Sequence, residues 1–270
     1  MSLILTFQKW HGLGNDFVLI DQSLNGRFVL TDAIARKLGD RHFGVGCDQI
    51  LHLVPSEMPG ANLRMDIRNS DGTVAGMCGN GIRAAALYWA EKHKIKDIVR
   101  IESAARVYEI VLVKEGARVD MGPPRVLETD EHLQIAGADY YFTEVSMGNP
   151  HAVIFQKTEH DFKKIDLADH GPLIENHKRF PHRTNVEWVW VKSEHELHMR
   201  VWERGAGITL ACGTGACAAA VAAIHHQQCK SPVAVHLPGG VLKIEWSGED
   251  KDSVFMQGPA TFVYEGSIAL

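Results

Sequence analysis

GMCGNGIRAAALYWA (residues 76–90) and LACGTGACAAAVAAI (210–224) align without gaps and share six of fifteen residues: one Cys, two Gly and three Ala. Ordinary composition gives about one such match. The offset that lays Cys78 on Cys212 is 212 − 78 = 134 residues, and it works again where GLGNDFVLI (12–20) meets SMGNPHAVIF (146–155), pairing Gly14 with Gly148 and Asn15 with Asn149. It also places Glu203 opposite Asn69. One offset over well-separated segments means that the chain is written twice, each half carrying a Cys and a Gly-Asn turn.

Each Cys-Gly-x-Gly opens a helical run. GIRAAALYWAEKHK has Ile82, Ala85, Ala86 and Trp89 at helical spacing, and GACAAAVAAIHHQQ is apolar almost all round, so both helices are expected to be buried. Short β-rich runs bounded by Gly, Pro, Asn and Asp surround them: LILTFQ, FVLID, QILHLV, VYEIVLV and RVDM in the first half, then YYFTEV, HAVIF, NVEWVWV, LHMRVW, VAVHL and VLKIEW in the second. The fold class this predicts is α+β, in two pseudo-symmetric halves. Each is a curled, mostly antiparallel sheet around a central helix, with an active site in the cleft between them. A boundary is expected at GPPRVLETD (122–130), giving halves 1–125 and 126–263, with the last residues, 264–270, packing back on the first.

Bulk properties narrow the partners. The 270 residues are 45% hydrophobic and 23% charged with a formal charge of -5, and the pI is about 6.3. That is ordinary globular material with no basic field for nucleic acid or an anionic membrane, so a small molecule is the expected partner. No basic n-region with a long apolar core opens the chain, and no apolar stretch approaches eighteen residues, which predicts a cytoplasmic protein. Five cysteines, Cys47, Cys78, Cys212, Cys217 and Cys229, make an odd set that argues for reduced thiols. The fifteen histidines include the pairs His225–His226 and His195–His198, but no CxxC accompanies them, and the expectation is that there is no metal.

The chemistry follows from where Cys78 and Cys212 stand. A helix N-terminus offers unsatisfied N–H groups and the positive end of the helix dipole, which favour thiolate over thiol. Two such termini facing each other would set a sulfur on each side of a pocket with converging donors between. That arrangement suits removal of a proton from one face of a carbon and its return to the other. Cys47, Cys217 and Cys229 are expected to be inert buried hydrophobes. A Cys78–Cys212 disulfide would be oxidative inactivation. A phosphate loop is disfavoured, because CGNG and CGTG lack the P-loop Lys and no GxGxxG is present.

With these residues in view the sequence resembles the diaminopimelate epimerases, within the cofactor-independent amino-acid racemases. The blocks are KWHGLGNDF (9–17), RHFGVGCDQ (41–49), NSDGTVAGMCGNG (69–81), MGNPH (147–151), TNVEW (184–188), ERGAGITLACGTG (203–215) and GGVLKIEW (239–246). The resemblance implies that Cys78 and Cys212 are the catalytic acid and base, assisted by His151 and Glu203. It implies that Gly79 with Asn80 and Gly213 with Thr214 hold the reacting carboxylate and amine. Asn15, Asn69, Asn149, Asn185 and Arg204 would grip the distal end of the substrate, with Gln49 lining the site. It further implies LL/meso-diaminopimelate interconversion in lysine and peptidoglycan biosynthesis, no cofactor, and a homodimer. Two positions depart from the family: Arg68 stands where an aromatic residue usually precedes Asn69, and the helix after Cys78 lacks a frequent Cys. A related racemase acting on another amino acid, such as histidine, is the nearest alternative, and a thiol redox or metal-sensing protein a distant one.

Overall fold

The computed structural model describes residues 4–135 and 137–270. Its contacts divide the chain into two units, Met1–Val119 with Gly258–Leu270, and Asp120–Gln257. The returning segment starts at Gly258, earlier than 264, because a strand over Thr261–Ala269 runs antiparallel along the chain's first strand from Ala269↔Ile4 to Thr261↔His11. Leu3, where the LILTFQ run begins, lies outside the described residues.

The first unit contains β1 (Ile4–Gly12), β2 (Asn15–Asp21), α1 (Gln22–Asn25), α2 (Asp32–Gly39), β3 (Gln49–Val54), β4 (Leu63–Asn69), β5 (Val74–Ala75), α3 (Gly79–His93), β6 (Ile98–Ser103), β7 (Arg106–Val113) and β8 (Gly116–Asp120). The second contains β9 (Arg125–Ile135), β10 (Ala138–Ser146), β11 (Pro150–Phe155), α4 (Glu159–Lys164), α5 (Leu167–Glu175), β12 (Asn185–Ser193), β13 (Glu196–Glu203), β14 (Gly207–Ile208), α6 (Gly213–His225), β15 (Val233–Leu237), β16 (Gly240–Glu245) and β17 (Phe255–Gly258), and the returning strand is β18. In the first unit β18–β1–β2 run antiparallel, β2–β3 parallel, β3–β4 antiparallel, β4–β6 parallel and β6–β7–β8 antiparallel. The second repeats that order: β9–β10–β11 antiparallel, β11–β12 parallel, β12–β13 antiparallel, β13–β15 parallel and β15–β16–β17 antiparallel. The internal repeat is therefore a repeat of topology, with β18 standing to β1 as β9 stands to β10.

The burial of each central helix explains its composition. α6 packs on β10, β11, β12, β13, β15 and β16, and residues 215–223 are all buried. Surrounded by strands on every side, it has room for alanines and little else. α3 packs likewise on β1, β2, β3, β6 and β7. There Tyr88 is buried and donates to Asp21 Oδ2 at 2.7 Å, while Trp89 is half-exposed and stacks on His93 with ring centroids 4.1 Å apart. The other face of the strands is covered too. Leu5, Val18, Ile20 and Ile50 join Ala35 and Leu38 of α2 in one cluster, and Phe142, Ile154 and Trp188 join Leu167 and Ile174 of α5 in another. Strands buried on both faces read as continuous apolar runs, which is why β2, β3, β11 and β12 are visible in the sequence. The stretch expected to hold the boundary, GPPRVLETD, enters β9, a strand exposed along most of its length.

Candidate active site

Cys78 and Cys212 have the same local structure. Each is the N-cap residue of its helix with extended backbone, φ −129° and ψ 109° at Cys78 and φ −121° and ψ 113° at Cys212. Each sulfur accepts the N–H of the residue three further on, Gly81 at 3.3 Å and Gly215 at 3.4 Å. A thiol sulfur here takes the place normally held by Ser or Asp oxygen, and satisfies one of the orphan N–H groups of the first turn.

Around Cys78, Asn15 at the start of β2 is the hub. Its Oδ1 receives Cys78 Sγ at 3.7 Å and Asn80 Nδ2 at 3.3 Å, while its own amide donates to Asp48 at 2.9 Å. Gly14 before it has φ +86°, and its counterpart Gly148 has φ +93°, so both Gly-Asn turns need glycine. Gln49 Nε2 donates to Asn69 Oδ1 at 2.9 Å across the β3–β4 ladder, and Gln49 Oε1 is buried without a partner, free to receive a ligand's donor. Arg83, fully buried, donates to Asn80 Oδ1 at 2.9 Å and to Gly79 O at 3.1 Å, which fixes the first turn of α3. Arg68 points elsewhere: it pairs with Asp32 of α2 and donates to Gly72 O at 3.1 Å, as strand alternation predicts for the neighbour of Asn69.

The second unit repeats this frame with titratable groups added. Asn149 Nδ2 meets Thr214 Oγ1 at 3.3 Å, matching the Asn15–Asn80 contact, and Thr214 lies 3.7 Å from the Cys212 sulfur. His151 bridges Asn149 and Glu187, with Nε2 3.0 Å from Asn149 Oδ1 and Nδ1 2.7 Å from Glu187 Oε1. A hydrogen-bonded chain thus runs from Cys212 through Thr214, Asn149 and His151 to Glu187. By the offset His151 replaces Phe17 and Glu203 replaces Asn69, so the halves share a frame and differ in chemistry. Asn185, buried, donates to Pro150 O at 2.8 Å and accepts the Arg204 N–H at 2.9 Å; the Arg204 guanidinium is exposed and donates to His182 O at 3.2 Å.

Electrostatics separate the two caps from the simple helix-terminus expectation. Burial pushes the Cys212 thiol well above its ordinary range, the Glu203 and Glu187 carboxylates push it further, and the Gly215 N–H and Thr214 hydroxyl pull it down. A helix terminus is worth up to ~2 kcal/mol, whereas full burial shifts a group by as much as about 3–5 units. Burial outweighs the helix terminus and favours the thiol form of Cys212. Glu203 is raised as well, by burial first, against hydrogen bonds from Thr209 and Cys212. Cys47 and Cys229 are pushed by burial to about 12 and about 11, which keeps them as inert thiols.

Glu187 has no role in the reading of the sequence, although it stands as a lone carboxylate in the otherwise apolar NVEWVWV, which is a signal of a partnered buried charge. It is fully buried, and Oε2 has no hydrogen-bond partner. A Cβ added to Gly215 would lie 2.7 Å from Glu187 Oε1 and 3.2 Å from the Cys212 sulfur. His151 holds that carboxylate in place, so Gly215→Ala is expected to cost about 1–3 kcal/mol through overpacking and to displace the sulfur. Denaturant titration checks this; unchanged stability would mean that Glu187 can swing aside.

The fold is that of the PhzF and proline-racemase structures, a class of two-part α+β proteins that includes epimerases. A phenazine biosynthesis protein of the PhzF family from Bacillus anthracis superposes with a TM-score of 0.76 at 14% identity, covering 99% of both chains. A hydroxyproline epimerase from Agrobacterium vitis, solved with bound trans-4-hydroxy-L-proline, gives 0.74 at 14% identity, covering 100% of this chain and 94% of that one. In sequence, the chain matches the diaminopimelate epimerase family over residues 7–127 and 143–263, and it belongs to that family. Diaminopimelate epimerases of Desulfitobacterium hafniense and Pelotomaculum thermopropionicum are 45% and 46% identical, covering 96% of this chain and 96% and 97% of theirs. It is an isomerase.

Proposed function

We propose that the chain interconverts LL- and meso-diaminopimelate by a two-base reaction in which one cysteine of each unit acts on the substrate α-carbon, feeding lysine and peptidoglycan synthesis. The observation that carries this is the matched capping of Cys78 and Cys212. Each places a sulfur at a helix N-terminus, and each is followed by the first-turn N–H groups of Gly79 and Asn80 and of Gly213 and Thr214, at the end of the helix that favours an anion such as the substrate carboxylate.

An amino-acid α-hydrogen is a weak acid, so charge developing on the carboxylate must be met by fixed donors. The reaction needs one thiolate and one thiol, and in one direction the thiolate is Cys78. Its sulfur takes the α-proton, Cys212 gives its own proton to the opposite face, and the pair ends with the roles reversed. The two therefore titrate as one system. Glu203, hydrogen-bonded to Cys212, and His151, linked through Asn149 and Thr214, position and balance that proton. Arg204, with Asn15, Asn69, Asn149, Asn185 and Gln49, grips the distal carboxylate and ammonium, where a guanidinium offers bidentate contact. No pyridoxal phosphate or metal is required.

The exposed run Phe262, Val263 and Tyr264, 45%, 51% and 43% accessible, supports a homodimer. Among the described residues no helix is long and apolar enough to cross a membrane, and no cysteine is in a disulfide. The enzyme is assigned to the cytoplasm on the thiols.

A substrate panel in deuterium oxide tests the proposal. Without added cofactor the protein should convert LL- to meso-diaminopimelate and incorporate deuterium at Cα. If it inverts only amino acids with one carboxylate, the distal-site assignment fails; if it exchanges no α-hydrogen at all, the two-base reading fails.

A further inference from the structure

We propose that Glu196, His198 and His236 form a surface site for a divalent cation of the zinc class, separate from the Cys212 cluster. In sequence the histidines appear unrelated, since His236 lies on a different strand from Glu196 and His198. The β-ladder brings them together. Glu196 and His198 are two apart on β13 and so share a face, and His198 stands directly opposite His236 in the parallel β13–β15 pairing. One ligand atom from each lies within 4.8 Å of the others.

The distances fit tetrahedral zinc. With zinc–ligand bonds of about 2.0–2.1 Å, ligand atoms stand ~3.3 Å apart. Glu196 Oε1 is 3.1 Å from His236 Nε2 and 3.5 Å from His198 Nε2. The remaining edge, between the imidazole nitrogens, is no longer than 4.8 Å. Two imidazoles and one carboxylate, with a fourth position left for water, suit zinc, nickel or copper and not the all-oxygen shells of calcium or magnesium.

Two further observations point to a ligand. His198 Nε2 is shut off from solvent yet makes no hydrogen bond, although it faces the carboxylate. Its ring is sandwiched between Trp190, with centroids 5.2 Å apart, and His236, stacked at 4.7 Å and 15°. Lys192 opposes the cation. Its ammonium is 2.8 Å from Glu196 Oε1 and must be displaced.

The ligands bracket a functional segment. Between His198 and His236 the chain carries Glu203, Cys212 and the whole of α6, so a bound cation would tie the strand that enters this segment to the one that leaves it. Glu196 is seven residues from Glu203 along β13, roughly 23 Å at strand rise, so the cation would stabilise the frame without entering the reaction.

The test uses the full chain, stripped with a chelator and titrated with zinc by calorimetry, and with cobalt by absorption. One cation per chain is expected, with a cobalt spectrum that lacks the near-ultraviolet thiolate charge-transfer band, and a melting temperature that rises with zinc. His198→Ala and His236→Ala should each weaken zinc binding by at least about tenfold, while Lys192→Met, which removes the competing cation, should tighten it. Turnover of metal-free His236→Ala should equal that of the metal-free parent, which separates ligand loss from misfolding and leaves the epimerase reading untouched. Equal affinity in the parent and both histidine variants, or a cobalt spectrum carrying only the thiolate band, overturns the site.

Discussion

Cys212→Ser is expected to lower the rate of inversion by about 10²- to 10⁴-fold, the usual worth of a positioned acid or base, with almost no loss of stability. The two effects separate because the proposed reaction gives the residue a second job besides capping. As an N-cap the sulfur accepts the Gly215 N–H at 3.4 Å, and a serine oxygen is one of the best replacements for that purpose. As an acid, a buried hydroxyl beside Glu203 and Glu187 cannot release its proton at neutral pH as a thiol can. Cys78→Ser should give an equal loss of inversion. The sharper prediction concerns hydrogen exchange. Each single variant keeps one sulfur, which can still remove and return the proton on its own face. Cys212→Ser and Cys78→Ser should therefore slowly exchange the α-hydrogen of opposite stereoisomers with deuterium oxide while inverting neither. Chiral chromatography with mass spectrometry reads both quantities. Ordinary turnover in either variant would refute the assignment of one base per unit, and so would exchange from the same stereoisomer in both.

Glu187→Ala should be the most destabilising single change at the site. The carboxylate is fully buried and holds His151 at 2.7 Å, and His151 is itself fully buried. Leaving a buried hydrogen-bonding group without its partner costs about 1–3 kcal/mol, equivalent to roughly 2–12 °C in melting temperature for a chain of this size. Glu187→Gln isolates the electrostatic part. Its carbonyl oxygen can still accept from His151 Nδ1, so most of the stability should return, but the anion near Cys212 is gone. An anion makes the thiolate costly, so its removal lowers the Cys212 pKa. Iodoacetamide labelling of Cys212, followed by peptide mass spectrometry across pH, should rise at lower pH in Glu187→Gln than in the parent. Coincident labelling profiles would mean that burial alone holds Cys212 protonated.

Much of the fold is legible because its strands are buried on both faces. FVLID, QILHLV, HAVIF and NVEWVWV read as strands since helices cover each side of them, and the glycine-bounded cysteines read as caps since a cap involves only residues three apart. Elements with one wet face escape. β9 and β18 are largely exposed, and a segment that buries little leaves little pattern. The short helices α2, α4 and α5 begin at Thr31, Thr158 and Asp166, each of which caps its helix through a side-chain oxygen. Those residues are visible signals, but helices of 8, 6 and 9 residues hold too few apolar positions to confirm them by period. Trp89 sits at a helical spacing that suits the core, yet Tyr88 is buried in its stead, because Asp21 offers its hydroxyl a partner there.

The sequence by itself determines the duplication, the two capping cysteines and the Gly-Asn turns, because each depends on residues close together in the chain or on a repeat that survives in the letters. Tertiary structure decides what each group can do. The parallel register that sets His151 beside Asn185 also carries Glu187 to the imidazole, and no spacing in the sequence announces a contact across 36 residues. Burial pushes the Cys212 thiol up where its helix terminus alone would pull it down, because removing a charge from water costs more than a helix dipole returns. The two cysteines have the same address in their halves, and the surroundings set them apart, with buried carboxylates beside Cys212 and amides beside Cys78.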